Sequence, residues 1–353
     1  MDIAASEEGP ALVVCDRGAM DGKAYCSDET WEAILTQMGV DVVQLRDRQY
    51  DAVYHLVTAA VGAEEFYGSD TNAARRETVE EARALDSKTL NTYLGHPHLR
   101  IIDNSCDFAT KVERVINSIS EGMGVAIPTQ GSYRRYLVKP PVPKTLPVHT
   151  EVVDIEIAIL RNSKPDRELR IIRRGQKNRY TYFYQQLRFV SERPVLTEKR
   201  LTQEEYQDMK EQVDPDFELI SKHSMSFTYQ NQYFELGTFI TPVEYRGKAL
   251  LYIETGDHCH DPQLPPFIPL DREVTDDPDY NNMAIAQNDY SALDGGRTQT
   301  RLSITVSDLG MSMRSMGNIS SMLHGLSSPK HRDKEMRKPF PEMIPGIPAL
   351  NPN

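Results

Sequence analysis

The sequence predicts an α/β region built on a parallel sheet, then an α+β region whose antiparallel strands close into a barrel, then a disordered tail. Three observations carry this. Short apolar runs alternate with helix-patterned segments through residue 130, the pattern of a parallel sheet covered by helices. A stretch with clustered prolines, 131–149, breaks that rhythm and reads as a linker. Beyond it, strands of mixed charge follow one another through about residue 290, interrupted by one short helix. From Ser291 to Asn353 the chain is low in aromatics and rich in Ser, Met, Gly and Pro, a composition that does not build a core.

The elements follow in order. "ALVVCDRG" reads as a buried parallel strand that ends by delivering Asp16. "SDETWEAILTQMG" reads as a helix capped by Ser27 or Asp28, with Trp31, Ile34, Leu35 and Met38 on one stripe. Ala52–Ala60 is a second apolar run and "HLRIIDNS" a third, with a charged helical segment between them. "CDFATKVERVINSISEG" is amphipathic, with Phe108, Val112, Val115, Ile116 and Ile119 at helix spacing.

Composition narrows the function. A net charge of −12 over 353 residues argues against a nucleic-acid partner. No stretch reaches the roughly 20 apolar residues of a membrane span. The N-terminus is acidic and unlike a secretory leader. Cys15, Cys26, Cys106 and Cys259 lack CxxC spacing and read as free thiols, so a cytoplasmic location is expected. His258 and His260 flank Cys259 but read as a polar turn.

An apolar strand ending in Asp is how P-loop kinases hold the water shell of Mg²⁺. Asp16 fits that role and also fits a simple cap, with Arg17 continuing the turn. Arg75 and Arg76 lie where a lid would bring arginines over a γ-phosphate; they equally suit ion pairs on a solvated helix. Asn104 follows the third strand, at the sheet edge where such folds bind ligands, and either reads a base edge or caps the next helix. The motif GxxxxGK[ST] does not occur. The strand and helix that carry that loop are missing ahead of Asp16, so the parallel sheet is expected to be incomplete at its N-terminal side.

In the second region every other residue of a strand shares a face. "RELRIIRRG" sets Arg170 and Arg174 together, "RYTYFYQQLRF" supplies Arg188, "TEKRL" supplies Arg200 and "SKHSMSF" supplies Lys222. "VVDIEIAIL" supplies Asp154 and Glu156, "YFELG" Glu235 and "LYIETG" Glu254. Charges on one face of many strands describe a lined tunnel, or else the solvated side of an ordinary sheet. In a tunnel the basic groups grip phosphate and the carboxylates Glu156, Glu235 and Glu254 hold a divalent metal.

In order along the chain, "CDRGAMDGKAY", "YDAVYHLVTAAVGAEEFY", "NAARRETVEEARALD" and "HPHLRIIDNSCDFATKVERV" resemble the TRPL translocation defect protein family. That family joins an AAA-type P-loop domain to a CYTH-like (triphosphate-tunnel) domain. "RELRIIRRG", "KRLTQEEYQDM", "ISKHSMSF" and "NQYFELGTF" follow in the same family order. The resemblance implies a protein that binds GTP, with Mg²⁺, and a phosphoinositide headgroup or membrane surface, and that acts with a partner in ion-channel traffic in sensory cells. It implies that Arg170, Arg174, Arg188, Arg200 and Lys222 line the tunnel. It also marks departures. Ala158 replaces the lysine of an ExExK strand, Ile172 stands where an arginine is usual, and Ser224 where a second basic residue is common. Binding without turnover is the expectation, and metal-dependent triphosphate hydrolysis the alternative.

Overall fold

A computed structural model describes residues 12–68, 77–122, 133–164, 167–190, 193–254 and 263–287. All of these fall in one compact unit, Met1–Ser303; the other unit, Ile304–Asn353, lies outside them. Arg75 and Arg76, the His258–His260 turn and the tail from Ser291 also lie outside the described residues.

Among the described residues the N-terminal region holds three α-helices and two strands, besides shorter helical turns: α1 (Asp28–Met38), β1 (Val53–Leu56), α2 (Val79–Thr92), β2 (Leu99–Ile102) and α3 (Phe108–Gly122). Ser27 caps α1 through Thr30 N–H, and Gly39 ends it at φ 66°, a left-handed conformation that glycine adopts without Cβ strain. Thr78 and Glu81 form a reciprocal capping box on α2. β1 and β2 pair in parallel, with Val53 opposite Leu99. Trp31, Leu35, Leu90, Leu94, Leu99 and Ile101 form the core beneath them.

Two expectations fail here. Leu12, Val13 and Val14 are more than half exposed and belong to no strand, so the sheet of this region has two strands among the described residues. A parallel strand is stable only when neighbours satisfy both its edges and cover its faces, and this run has neither. The polarity of α3 is also reversed. Phe108, Val112 and Ile116 face outward, while Lys111 and Arg114 are buried. Lys111 Nζ donates to Val57 O at 2.8 Å and Asn104 Oδ1 at 2.6 Å, and Arg114 pairs with Asp103 at 2.7 Å. The polar ends of β1 and β2 need these donors more than they need apolar cover.

The second region is a nine-stranded antiparallel sheet. Its strands are β3 (Tyr133–Val138), β4 (Thr150–Ile159), β5 (Arg167–Gln176), β6 (Arg179–Val190), β7 (Arg193–Leu201), β8 (Ile220–Tyr229), β9 (Gln232–Thr241), β10 (Ala249–Glu254) and β11 (Leu270–Glu273). The order is β11-β3-β10-β9-β8-β4-β5-β6-β7. Its end strands β7 and β11 do not pair, so the sheet is open rather than the closed barrel expected from the strand count. β3 falls inside the segment read as a linker; its alternation, Tyr136 and Val138 inward, was masked by the prolines that follow. The short helix of "LTQEEYQDMKEQV" is α4 (Gln203–Lys210), and α5 (Asn282–Ala286) follows β11. Among the described residues no helix is long and apolar enough to cross a membrane.

Two hairpins fix the register of the sheet. Lys177 and Asn178 join β5 to β6, and Gln230 and Asn231 join β8 to β9, all four at φ between 48° and 61°. Two-residue turns of this hand match the right-handed twist of the flanking strands. One face of the sheet is apolar at both ends, with Phe227, Phe234, Leu236 and Leu251 at one and Ile171, Tyr182 and Leu201, covered by Tyr206 of the following helix, at the other. The opposite face is apolar only where Val153, Ile155, Ile157, Phe239 and Leu250 meet. Around that patch it is charged.

Candidate functional site

Cross-strand partners share a face, so the register sorts the charges. Glu151 lies opposite Ser226, Ser226 opposite Glu235, and Glu235 opposite Tyr252. Arg174 lies opposite Ile155 and Ile155 opposite Lys222. Arg170 lies opposite Gln185 and Gln185 opposite Glu198. By alternation Glu168, Arg200 and Glu254 join them, and all of these occupy the same face.

Arg174, Glu235 and Lys222 form its centre. Arg174 pairs with Glu235 at 3.3 Å and also donates to Gly95 O at 3.2 Å. Burial pushes the Glu235 carboxyl up, but the charges of Arg174 and Lys222 outweigh it and hold the group below the usual carboxylate range. Lys222 is 7% exposed. Its ammonium sits 4.2 Å over the Tyr252 ring and makes no ion pair or hydrogen bond among the described residues. Arg174 Nε and Arg200 Nε are likewise buried without an acceptor. A cation–π contact contributes about 0.5–2 kcal/mol, while desolvating an ammonium costs several kcal/mol. The ring does not offset the burial of Lys222. The centre of this face is short of one anion.

Gly237 makes the arrangement possible. A Cβ there would stand 3.2 Å from both Lys222 Cδ and Tyr252 Cε2, so any larger residue would press the lysine stem against the ring.

The N-terminal region closes over this face. Arg46 reaches Glu151 at 3.4 Å, His98 meets Glu198 at 2.7 Å, and Arg100 pairs with Glu254. In the other direction Arg200 donates to Arg48 O at 2.8 Å and Tyr50 O at 2.9 Å. Burial lowers the basicity of Arg100, but the Glu254 charge more than restores it, so the guanidinium is held more firmly than usual. Burial pushes Glu198 up and its bond to His98 pulls it down further, leaving it ionised below the usual range.

The structure thus brings together Arg170, Arg174, Arg200, Lys222, Glu235 and Glu254. It separates two others. Glu156 lies opposite Arg173, with which it pairs, on the other face. Arg188 shares that other face and is exposed, because Gln185, not Gln186, is the partner of Arg170. The expected roles of Arg188 as a tunnel arginine and of Glu156 as a partner of Glu235 in metal binding are therefore corrected by one residue of register.

The expected nucleotide residues do not converge either. Asp16 is exposed and outside any strand, and Arg17, at φ 71°, pairs at 3.6 Å with Asp21. Asn104 spends its amide on Val57 O, Thr58 O and Val61 O, at 3.3, 2.8 and 2.7 Å, tying down the turn after β1. It has no donor left to read a base. Sequence reasoning missed Tyr252, Gly237, His98 and Arg100. Strand alternation placed Tyr252 beside Glu254, but nothing local ties His98 to Glu198 across 100 residues.

Residues 1–111 match the family model described as an AAA domain. No curated protein matches the chain. Among solved structures, the inorganic triphosphatase NE1496 is similar at 20% identity over 45% of this chain and 95% of that one, with a TM-score of 0.32. The Schizosaccharomyces pombe Mediator head module matches at 11% identity over 38% of this chain and 85% of that chain, with a TM-score of 0.27. The PH1819 protein from Pyrococcus horikoshii OT3 matches at 10% identity over 36% and 80%, with a TM-score of 0.29.

Proposed function

We propose that the chain binds a phosphorylated small molecule on the charged face of its sheet and does not hydrolyse it. One observation carries this reading: Lys222 is buried with no direct ion pair or hydrogen bond among the described residues, sharing the single carboxylate of Glu235 with an arginine that has an unused Nε–H. Phosphate oxygens supply what both groups lack, several acceptors and negative charge in one compact ligand. Arg200, 31% exposed at its side chain, provides the outer contact. The inositol phosphate of a lipid headgroup and a free triphosphate share this chemistry.

A nucleotide is the second ligand class, and the AAA-domain match over residues 1–111 supports it. GTP with Mg²⁺ would there rely on Asp16 and Arg17, which stand in solvent, and on Arg75 and Arg76. A role in channel traffic rests on the resemblance of the N-terminal motifs alone.

The test is binding of the purified chain to three probes: vesicles containing phosphoinositides, inorganic triphosphate and GTP. Each is repeated with Lys222→Met, which keeps the apolar stem and removes the charge. Loss of at least tenfold in affinity for one of the first two probes, without a lower melting temperature, supports the reading. GTP binding that ignores the substitution, with no binding of the other two, overturns it.

A further inference from the structure

A divalent metal is the group that a tunnel of glutamates and arginines invites, and the carboxylates decide whether this face fits one. Five glutamates share it: Glu151, Glu168, Glu198, Glu235 and Glu254. Each already has a basic side chain beside it. Glu168 pairs with Arg170 at 2.8 Å and Glu235 with Arg174 at 3.3 Å, both within the sheet. The other three are met from outside it, Glu151 by Arg46, Glu198 by His98 and Glu254 by Arg100. Glu198 takes a further bond from Gln185 at 2.6 Å. Hard cations need several oxygen ligands converging at short range. Among the described residues no cluster of three or more His, Cys, Asp or Glu side chains is placed to hold one, and Glu156 points to the opposite face. The described residues of this face do not fit a metal.

We infer that the N-terminal region supplies the basic side chains His98 and Arg100 in the place of metal ions, so that this face takes up a phosphorylated anion without a divalent cation; Arg46, paired at 2.6 Å with Asp47, only adds a contact to Glu151. The inference rests on the anion-binding reading above and adds a role for the N-terminal region. The physical point is charge balance. Without their partners, Glu151, Glu198 and Glu254 would join Glu168 and Glu235 in setting five carboxylates against the four basic groups Arg170, Arg174, Arg200 and Lys222. An incoming phosphate would then be repelled as strongly as it is attracted. A metal would cure this by binding the carboxylates. A guanidinium and a histidine ring act as fixed parts of the chain, and they also satisfy the hydrogen-bond capacity of the carboxylates. What they do not provide is an exchangeable site for an attacking water, and a binder has no need of one.

The experiment uses the full chain and two readouts. Binding of inorganic triphosphate is measured calorimetrically with EDTA and with Mg²⁺, for the wild type and for His98→Ala with Arg100→Ala. Binding of Mn²⁺ alone is measured on the same proteins by its paramagnetic resonance. The expected result is wild-type binding equal within twofold in EDTA and Mg²⁺, and no Mn²⁺ uptake. The double variant is expected to bind triphosphate at least tenfold more weakly in EDTA, to recover with Mg²⁺, and to take up Mn²⁺. Arg100→Lys, which keeps the charge, separates charge from fold and should behave as wild type. Wild-type binding that disappears in EDTA, or wild-type Mn²⁺ uptake, overturns the inference and leaves anion binding standing. Failure of every form to bind triphosphate sinks the anion reading. The Mn²⁺ readout then still decides the inference, since gain of Mn²⁺ in the double variant supports substitution for metal and its absence overturns it.

Discussion

His96 shows how one side chain couples the N-terminal region to pH. Its ring is fully buried, with Nδ1 accepting from His98 N–H at 3.0 Å and Nε2 facing Tyr50 O at 3.3 Å. That pair of contacts fixes the neutral tautomer with its proton on Nε2. Burial, and then the neighbouring His98, Arg46 and Arg174, push its pKa down to about 3. An unfolded chain titrates its histidine near 6.5. Between about 6.5 and 3 the unfolded state therefore carries a proton that the folded state refuses. Stability is full above 6.5 and falls as pH falls, by about 1.4 kcal/mol per pH unit. The depressed carboxylates Asp103, Glu198 and Glu235 act the same way, but below their unfolded values near 4. Urea midpoints measured from pH 7 to 5 thus isolate the histidine. They should fall steadily in the wild type and stay flat in His96→Gln, whose amide replaces both ring contacts. A flat wild-type profile would mean that the imidazole is not held neutral.

At the scale of elements, the hairpins carry both the register and the site. Gly175 shows why. A Cβ there would lie 1.9 Å from Arg179 O, a backbone atom that cannot yield. Gly175→Ala must pry β5 from β6 beside Arg174, and a cost of about 2 kcal/mol lowers the melting temperature by about 4–8 °C. Gly247→Ala is the comparison. It meets open space and bears only the strain of φ 78°, about 1 kcal/mol. Equal losses for the two would refute the close approach. These hairpins were legible, because "GQKNR" is turn chemistry flanked by alternation. So were the cap of α1 and the shared face of Arg170 and Arg174. The face of Arg188 was not, since alternation sorts residues within a strand and says nothing of which face meets which across strands. The inverted α3 was hidden for a similar reason. Periodicity reveals an apolar stripe, but the open carbonyls at the ends of β1 and β2 decide which side turns inward.

For the whole molecule, the sequence pattern changes character near residue 131 but conceals how the stretches on either side meet within one compact unit. The contacts that join them include side-chain pairs 100 to 154 residues apart, and no local pattern announces such a pair. They also set the cooperativity of the fold. The N-terminal region has a two-stranded parallel sheet, below the size that is stable alone. It leans on Arg174, Glu198, Arg200 and Glu254 for its satisfied polar groups, and Tyr233 of β9 packs against its core. Partner groups buried on both sides make separation costly, because every opened pair leaves a desolvated charge until water enters. The two regions should therefore unfold in a single calorimetric transition, with the measured enthalpy equal to the van't Hoff value. In His98→Ala with Arg100→Ala the transition should split, the N-terminal region melting first and the sheet persisting. A single transition in that variant would place the coupling in the apolar contact of Tyr233, and would show the charge pairs to serve the ligand face rather than the fold.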